Sequence, residues 1–151
     1  MLPKTYPISV QSLQGSLPHR APMIWIDRVL EGTETEGVCE VVLDPTGPQF
    51  ADDGLRQSAL VEWMAQGLGY FRASVSAQVS DRTYVAALKD IRYCSSEEWL
   101  QFRNSIVKGT RARVYLKIQR VLGPIFLVEG EVKTEEGKPL AHGTFKCFAG
   151  A

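Results

Sequence analysis

Between Gln57 and Phe71 the chain carries one formal charge, Glu62. Leu60, Met64, Leu68 and Phe71 recur at spacings of four, four and three, and Val61, Ala65, Gly67 and Gly69 extend apolar or small surface around the same cylinder. A helix that is apolar on most sides must be buried, so the rest of the chain has to wrap around it. The stretch Leu55 to Ala77 is therefore read as one central helix, with Asp53 as its N-cap. Gly67 and Gly69 each cost roughly 1 kcal/mol of helix propensity relative to alanine, which predicts that another backbone approaches the helix closely there.

Glu62 stands one turn before Gln66, so both polar side chains share a face of this helix. An ionised carboxylate left alone in an apolar interior costs several kcal/mol, and such a group takes either a partner or a proton. A protonated carboxyl can act as an acid. The plain alternative is an arginine partner or a route to the surface.

The sequence on either side reads as strands. Met23 to Leu30 and Val38 to Leu43 precede the helix, joined by the acidic, glycine-containing loop Glu31 to Gly37. Thr83 to Cys94 follows it, and Arg111 to Leu122 alternates apolar Ala112, Val114, Leu116 and Ile118 with Arg111, Arg113, Tyr115 and Lys117. Gly123-Pro124 and Glu135 to Lys138 turn the chain into Ile125 to Thr134 and Pro139 to Phe148. Ser9 to Gln14 suggests a short helical turn, Asp44 to Gly54 an irregular loop, and Glu97 to Phe102 either a short helix or an irregular excursion. The order of elements predicts an α+β chain, an antiparallel sheet around one helix, in a single domain spanning 1–151.

Composition narrows the function. Lysine plus arginine equals aspartate plus glutamate at 17 each, so no global field draws the chain to nucleic acid or membrane. Met1 to Val10 holds no long apolar run, so neither a signal peptide nor membrane insertion is expected. Cys39, Cys94 and Cys147 are too far apart for a zinc site or redox pair and read as reduced thiols of a cytoplasmic protein. Arg103, Lys108, Arg111 and Arg113 occur without an intervening acid, a local positive patch suited to an acidic partner or a phosphate; exposed basic residues of no such purpose are the commoner case. His142, in a terminal strand, reads as an outward, solvated histidine. Trp25, Trp63 and Trp99 read first as packing, with Trp63 also a candidate tunnel wall.

Two motifs carry a resemblance. The run Leu17-Pro18-His19-Arg20-Ala21-Pro22-Met23-Ile24-Trp25-Ile26-Asp27-Arg28-Val29-Leu30 resembles the opening motif of the 3-hydroxyacyl-acyl carrier protein dehydratases, and Glu62-Trp63-Met64-Ala65-Gln66 resembles the EAMAQ stretch of their central helix. Within that family the PHRAPM segment and the run Tyr84 to Tyr93 are most similar to dehydratase-like proteins of aryl polyene pigment clusters. The resemblance implies a hot-dog fold and two subunits joined edge to edge, with acyl tunnels at their interface. It implies neither cofactor nor metal, and as partner an acyl carrier protein bearing a phosphopantetheine-linked chain.

One departure matters. Housekeeping members carry a catalytic histidine in a GHFPG motif fourteen residues before the helix glutamate; here that position is Pro48, within Gly47-Pro48-Gln49-Phe50-Ala51. Removing the α-proton of a 3-hydroxyacyl thioester needs a base, a polarised carbonyl and an acid for the departing hydroxyl. On this reading Glu62 is the acid and Gln66 orients it. The amides of Leu55, Arg56, Gln57 and Ser58 face the thioester, and His19, held between Pro18 and Pro22, is the candidate base; the alternative for His19 is a structural or tunnel-lining role. Two other functions remain open at this level: a thioester hydrolase on the same fold, and a non-catalytic acyl-binding or scaffolding subunit of a dehydratase heterodimer in place of a homodimer.

Overall fold

The computed structural model describes residues 5–13, 24–75 and 83–149. Seven strands form one antiparallel sheet in the order β1-β2-β3-β7-β8-β9-β6. They are β1 (Ile8–Ser9), β2 (Arg28–Gly32), β3 (Glu36–Val42), β6 (Thr83–Tyr93), β7 (Arg111–Leu122), β8 (Ile125–Thr134) and β9 (Pro139–Ala149). A two-stranded hairpin, β4 (Phe50–Ala51) with β5 (Gly54–Leu55), precedes the central helix α1 (Ala59–Val75). A second helix, α2 (Ser96–Ser105), lies between β6 and β7.

The period-two pattern of β7 sets the layers. Ala112, Val114, Leu116 and Ile118 are buried, as are their β8 counterparts Thr134, Val132, Gly130 and Val128, while the intervening side chains point to the other face. α1 packs across β2, β3, β7 and β8 on the buried face, where Leu60, Leu68 and Phe71 reach zero exposure. Gly67 permits this approach: a Cβ there would stand 2.9 Å from Leu116 Cδ1. The close neighbours are side chains of β3 and β7, where the sequence reading had expected backbone. Val61, Glu62, Ala65 and Arg72 stay partly exposed, so among the described residues one side of α1 is only partly covered.

Several boundaries differ from the sequence reading, each for a local reason. The run from Ile24 to Asp27 is not strand, although the Asp27 N–H donates to the Glu40 carbonyl at 2.9 Å, and β2 begins only at Arg28. The Trp25 N–H is spent on Gln66 Oε1, at 2.8 Å, instead of on a neighbouring strand. Asp53 does not cap the helix. It sits in the β4–β5 turn, inside a connection read as irregular, and α1 starts at Ala59 after a turn in which the Arg56 and Gln57 carbonyls accept from Ala59 and Leu60, both at 3.1 Å. β3 starts two residues earlier than expected, and Leu43 donates to the Thr110 carbonyl at 2.7 Å.

The excursion after Cys94 is a true helix. Its capping box, with Ser95 Oγ accepting from the Glu98 N–H at 3.1 Å, was legible as Ser-x-x-Glu in the sequence. The turn near Ser9 is a short 3-10 helix, Val10–Leu13, and β1 beside it was not anticipated. Leu17 to Met23, with His19, and the end of the expected helix at Ser76 and Ala77 lie outside the described residues.

All three cysteines are free. Burial pushes the Cys39 and Cys147 thiols up to about 12, so neither offers a thiolate near neutrality. Cys94 is half-buried, its thiol also raised by burial. Iodoacetamide at pH 8 is therefore expected to add one group to the native protein and three after unfolding. Intact mass spectrometry counts them, and a second adduct before unfolding would refute the burial of Cys39 and Cys147.

Candidate active site

Glu62 and Gln66 are brought together as one hydrogen-bonded unit. Gln66 is 1% exposed; its Nε2 donates to Glu62 Oε1 at 2.8 Å, and its Oε1 accepts from the Trp25 N–H at 2.8 Å. Because the Trp25 N–H can only donate, it fixes which end of the amide is oxygen, and the amide nitrogen is left for Glu62. The carboxyl is thus oriented through α1 from the segment just after the LPHR motif. It remains partly exposed, on the side of α1 turned away from the sheet.

The other candidates are placed differently. Leu55 lies in β5 with 1% exposure and Trp63 is at 0%, so both side chains are core and neither presents surface to a ligand. Arg56, Gln57 and Ser58 form the turn that leads into α1, with Arg56 and Ser58 exposed. Trp63 fills the core with its ring while its Nε1 donates to Gln49 Oε1, pinning the Asp44 to Gly54 connection onto the helix. The sequence reading passed over Gln49. Its one signal is that it follows Pro48, the position fourteen residues before Glu62.

His142 is excluded from this site by strand alternation. Gly130 faces the helix, a Cβ there meeting Met64 Sδ at 2.8 Å, and its register partner Gly143 is buried on the same face of the sheet, so the adjacent, exposed His142 points to the opposite face. There its Nε2 lies 3.0 Å from Glu129 Oε1, a contact that holds the Glu129 carboxyl below its ordinary range.

The basic residues stand in different surroundings. Arg28 bonds through Nε and Nη2 to the buried Glu40, whose other oxygen lies 3.8 Å from Arg111. Arg103 packs instead beneath the β4–β5 hairpin, where a Cβ on Gly54 would meet its Cδ at 3.0 Å. Glu40 is only 2% exposed, so of the four basic residues of that run Arg111 is the one that faces a buried carboxylate, beside Arg28 from outside the run.

Among the described residues no cluster of three His, Cys, Asp or Glu side chains is arranged for a metal ion, and no helix is long and apolar enough to cross a membrane. A groove of about 570 Å³ between α2 and the β8–β9 turn, lined by Glu98, Phe102, Thr134, Lys138 and Leu140 among others, contains none of the site residues named above.

A family model described as ApeP-like, ApeP dehydratase, matches residues 11–117, which include α1, the Glu62–Gln66 pair and the Pro48–Gln49 segment. The chain belongs to the ApeP-like dehydratase family. It is also similar to the 3-hydroxyacyl-[acyl-carrier-protein] dehydratase FabZ of Streptococcus sanguinis, 27% identical over 148 residues that cover 95% of this chain and 99% of that protein. FabZ of Lactococcus lactis subsp. cremoris is 26% identical, with coverage of 95% and 96%.

Among solved structures, the dehydratase heterocomplex ApeI:P from Xenorhabdus doucetiae matches with a TM-score of 0.75 at 18% identity, covering 98% of this chain and 93% of its own. A hypothetical thioesterase from Streptococcus pneumoniae with coenzyme A matches with a TM-score of 0.60 at 10% identity, covering 82% and 84%. At such identities these likenesses show the fold, and the fold is the hot-dog fold.

Proposed function

We propose that this chain is a dehydratase that removes water from 3-hydroxyacyl thioesters of an acyl carrier protein to give trans-2-enoyl thioesters, working in the cytoplasm. The observation that carries the reading is the oriented Glu62 carboxyl, held by a buried glutamine whose own amide is fixed by a backbone N–H, in a chain of a dehydratase family. In this reading a base takes the α-proton, electrons move to form the α,β double bond, and protonated Glu62 gives its proton to the departing β-hydroxyl, which leaves as water. The proton held by the base then returns to Glu62. With His142 on the far face of the sheet, His19 is the histidine left for the base.

The second reading is a subunit of a heterodimer, in which this chain binds or positions the acyl chain and another hot-dog subunit supplies the base. Pro48 at the histidine position favours it, and the solved heterocomplex ApeI:P supplies a precedent for such pairing. Incubating the purified chain with a 3-hydroxyacyl carrier protein and following products by mass spectrometry decides between the two. The enoyl product from this chain alone supports the first, and its absence until a second subunit is added supports the other.

Both readings require two subunits. Among the described residues β6 is an edge strand, paired on one side only, and Leu88 on it is 53% exposed. An edge of this kind is satisfied by an antiparallel copy across a two-fold axis. Light scattering at micromolar concentration is expected to report a dimer of this chain, and a monomer would remove the homodimer.

A further inference from the structure

The geometry points to Gln49 as the donor that polarises the thioester carbonyl, an assignment that rests on the dehydratase reading of the Glu62 site. Trp63 Nε1 is a donor only, so the Gln49 atom it meets is Oε1 and the amide NH₂ is left facing away from the indole. Among the described residues nothing engages that nitrogen, and Gln49 is partly exposed. Trp63 follows Glu62 directly on α1. The clamp therefore holds a neutral amide with two directed N–H bonds beside the same turn of helix that presents the acid.

The demand for such a donor is local. The first helical amides, Ala59 and Leu60, are already hydrogen-bonded to the Arg56 and Gln57 carbonyls, so a side-chain donor would share the task with the amides of the turn Arg56 to Ser58 that precedes them. A thioester with its β-hydroxyl at Glu62 has its carbonyl two carbons further along, and the charge that builds on that oxygen as the α-proton leaves needs a preorganised donor. A side-chain amide locked at its oxygen meets this need without reorganising.

The test uses Gln49→Glu and Gln49→Met. The first keeps an acceptor for the Trp63 indole and removes both amide donors; the second is neutral, similar in length, and also lacks them. The probe is butyryl-pantetheine with a 13C-labelled thioester carbonyl, which has no β-hydroxyl and does not react. Its infrared carbonyl band is expected at lower frequency when bound to the wild-type dimer than in buffer. That shift should vanish in both Gln49 variants and persist in Glu62→Gln.

With a 3-hydroxyacyl carrier protein, kcat should fall about 10²-fold in both Gln49 variants while KM changes little, the size expected on losing one such donor. A shift that survives in Gln49→Met overturns the assignment, since loss in Gln49→Glu alone would reflect charge repulsion. An unshifted band in the wild type overturns it as well. A shifted, Gln49-dependent band in a chain that makes no enoyl product keeps the carbonyl donor and removes the dehydratase reading instead.

Discussion

Glu62→Gln is expected to leave the fold and acyl binding nearly intact while lowering dehydration by about 10²- to 10⁴-fold, the range that positioned acid catalysis supplies. The substitution keeps the shape and can still meet Gln66 Nε2 through its amide oxygen, so the link to the Trp25 N–H survives. What it removes is the transferable proton. A steady-state assay with a 3-hydroxyacyl carrier protein, combined with thermal unfolding of the same preparation, separates chemistry from stability. Wild-type turnover in the variant would return Glu62 to a structural role and, with it, remove the proposed mechanism.

The same pair shows how far the sequence could be read. That Glu62 and Gln66 share a helix face follows from their spacing alone, and their hydrogen bond follows from the low exposure of Gln66. Their anchoring to Trp25 did not follow, because it depends on a backbone N–H leaving the strand pattern. Periodicity sees side chains and is blind to that diversion, so it extended the strand back to Met23, whereas the ladder begins at Arg28.

Long, strongly periodic elements such as β7 and α1 were legible for the opposite reason: their burial pattern is written into every second or fourth residue. The two-residue strands β1, β4 and β5 carry too few side chains to write any period. The Gln49 clamp was hidden in the same way, being a single contact between a loop and the helix. The surroundings of the basic run from Arg103 to Arg113 were not legible, because sequence proximity says nothing about which residues meet a buried carboxylate. Glu40, far upstream, is brought opposite Arg113 by the β3–β7 register and draws in Arg28 and Arg111.

The largest expected loss of stability from adding a single methyl group is at Gly37. In β3 this residue lies directly beneath the Phe71 ring, and a Cβ there would sit 2.2 Å from Cγ and 2.6 Å from both Cδ atoms. Phe71 is fully buried, so the ring has no solvent side into which to retreat. Relief has to come from lifting α1 off β3 or forcing the ring off its rotamer, and overpacking of this kind costs about 1–3 kcal/mol or somewhat more. Gly37→Ala should therefore lower the urea midpoint without changing its slope.

If the clash with the ring is the cause, Phe71→Leu in the Gly37→Ala background recovers part of the loss, even though it is itself destabilising in the wild-type background. Simple addition of the two losses would mean that Gly37 is required for its backbone freedom and not for the space it leaves. Phe71 lies nine residues beyond Glu62, about 13 Å along the helix axis, so the surviving folded fraction of either variant should keep the acid in place and its turnover per folded molecule unchanged.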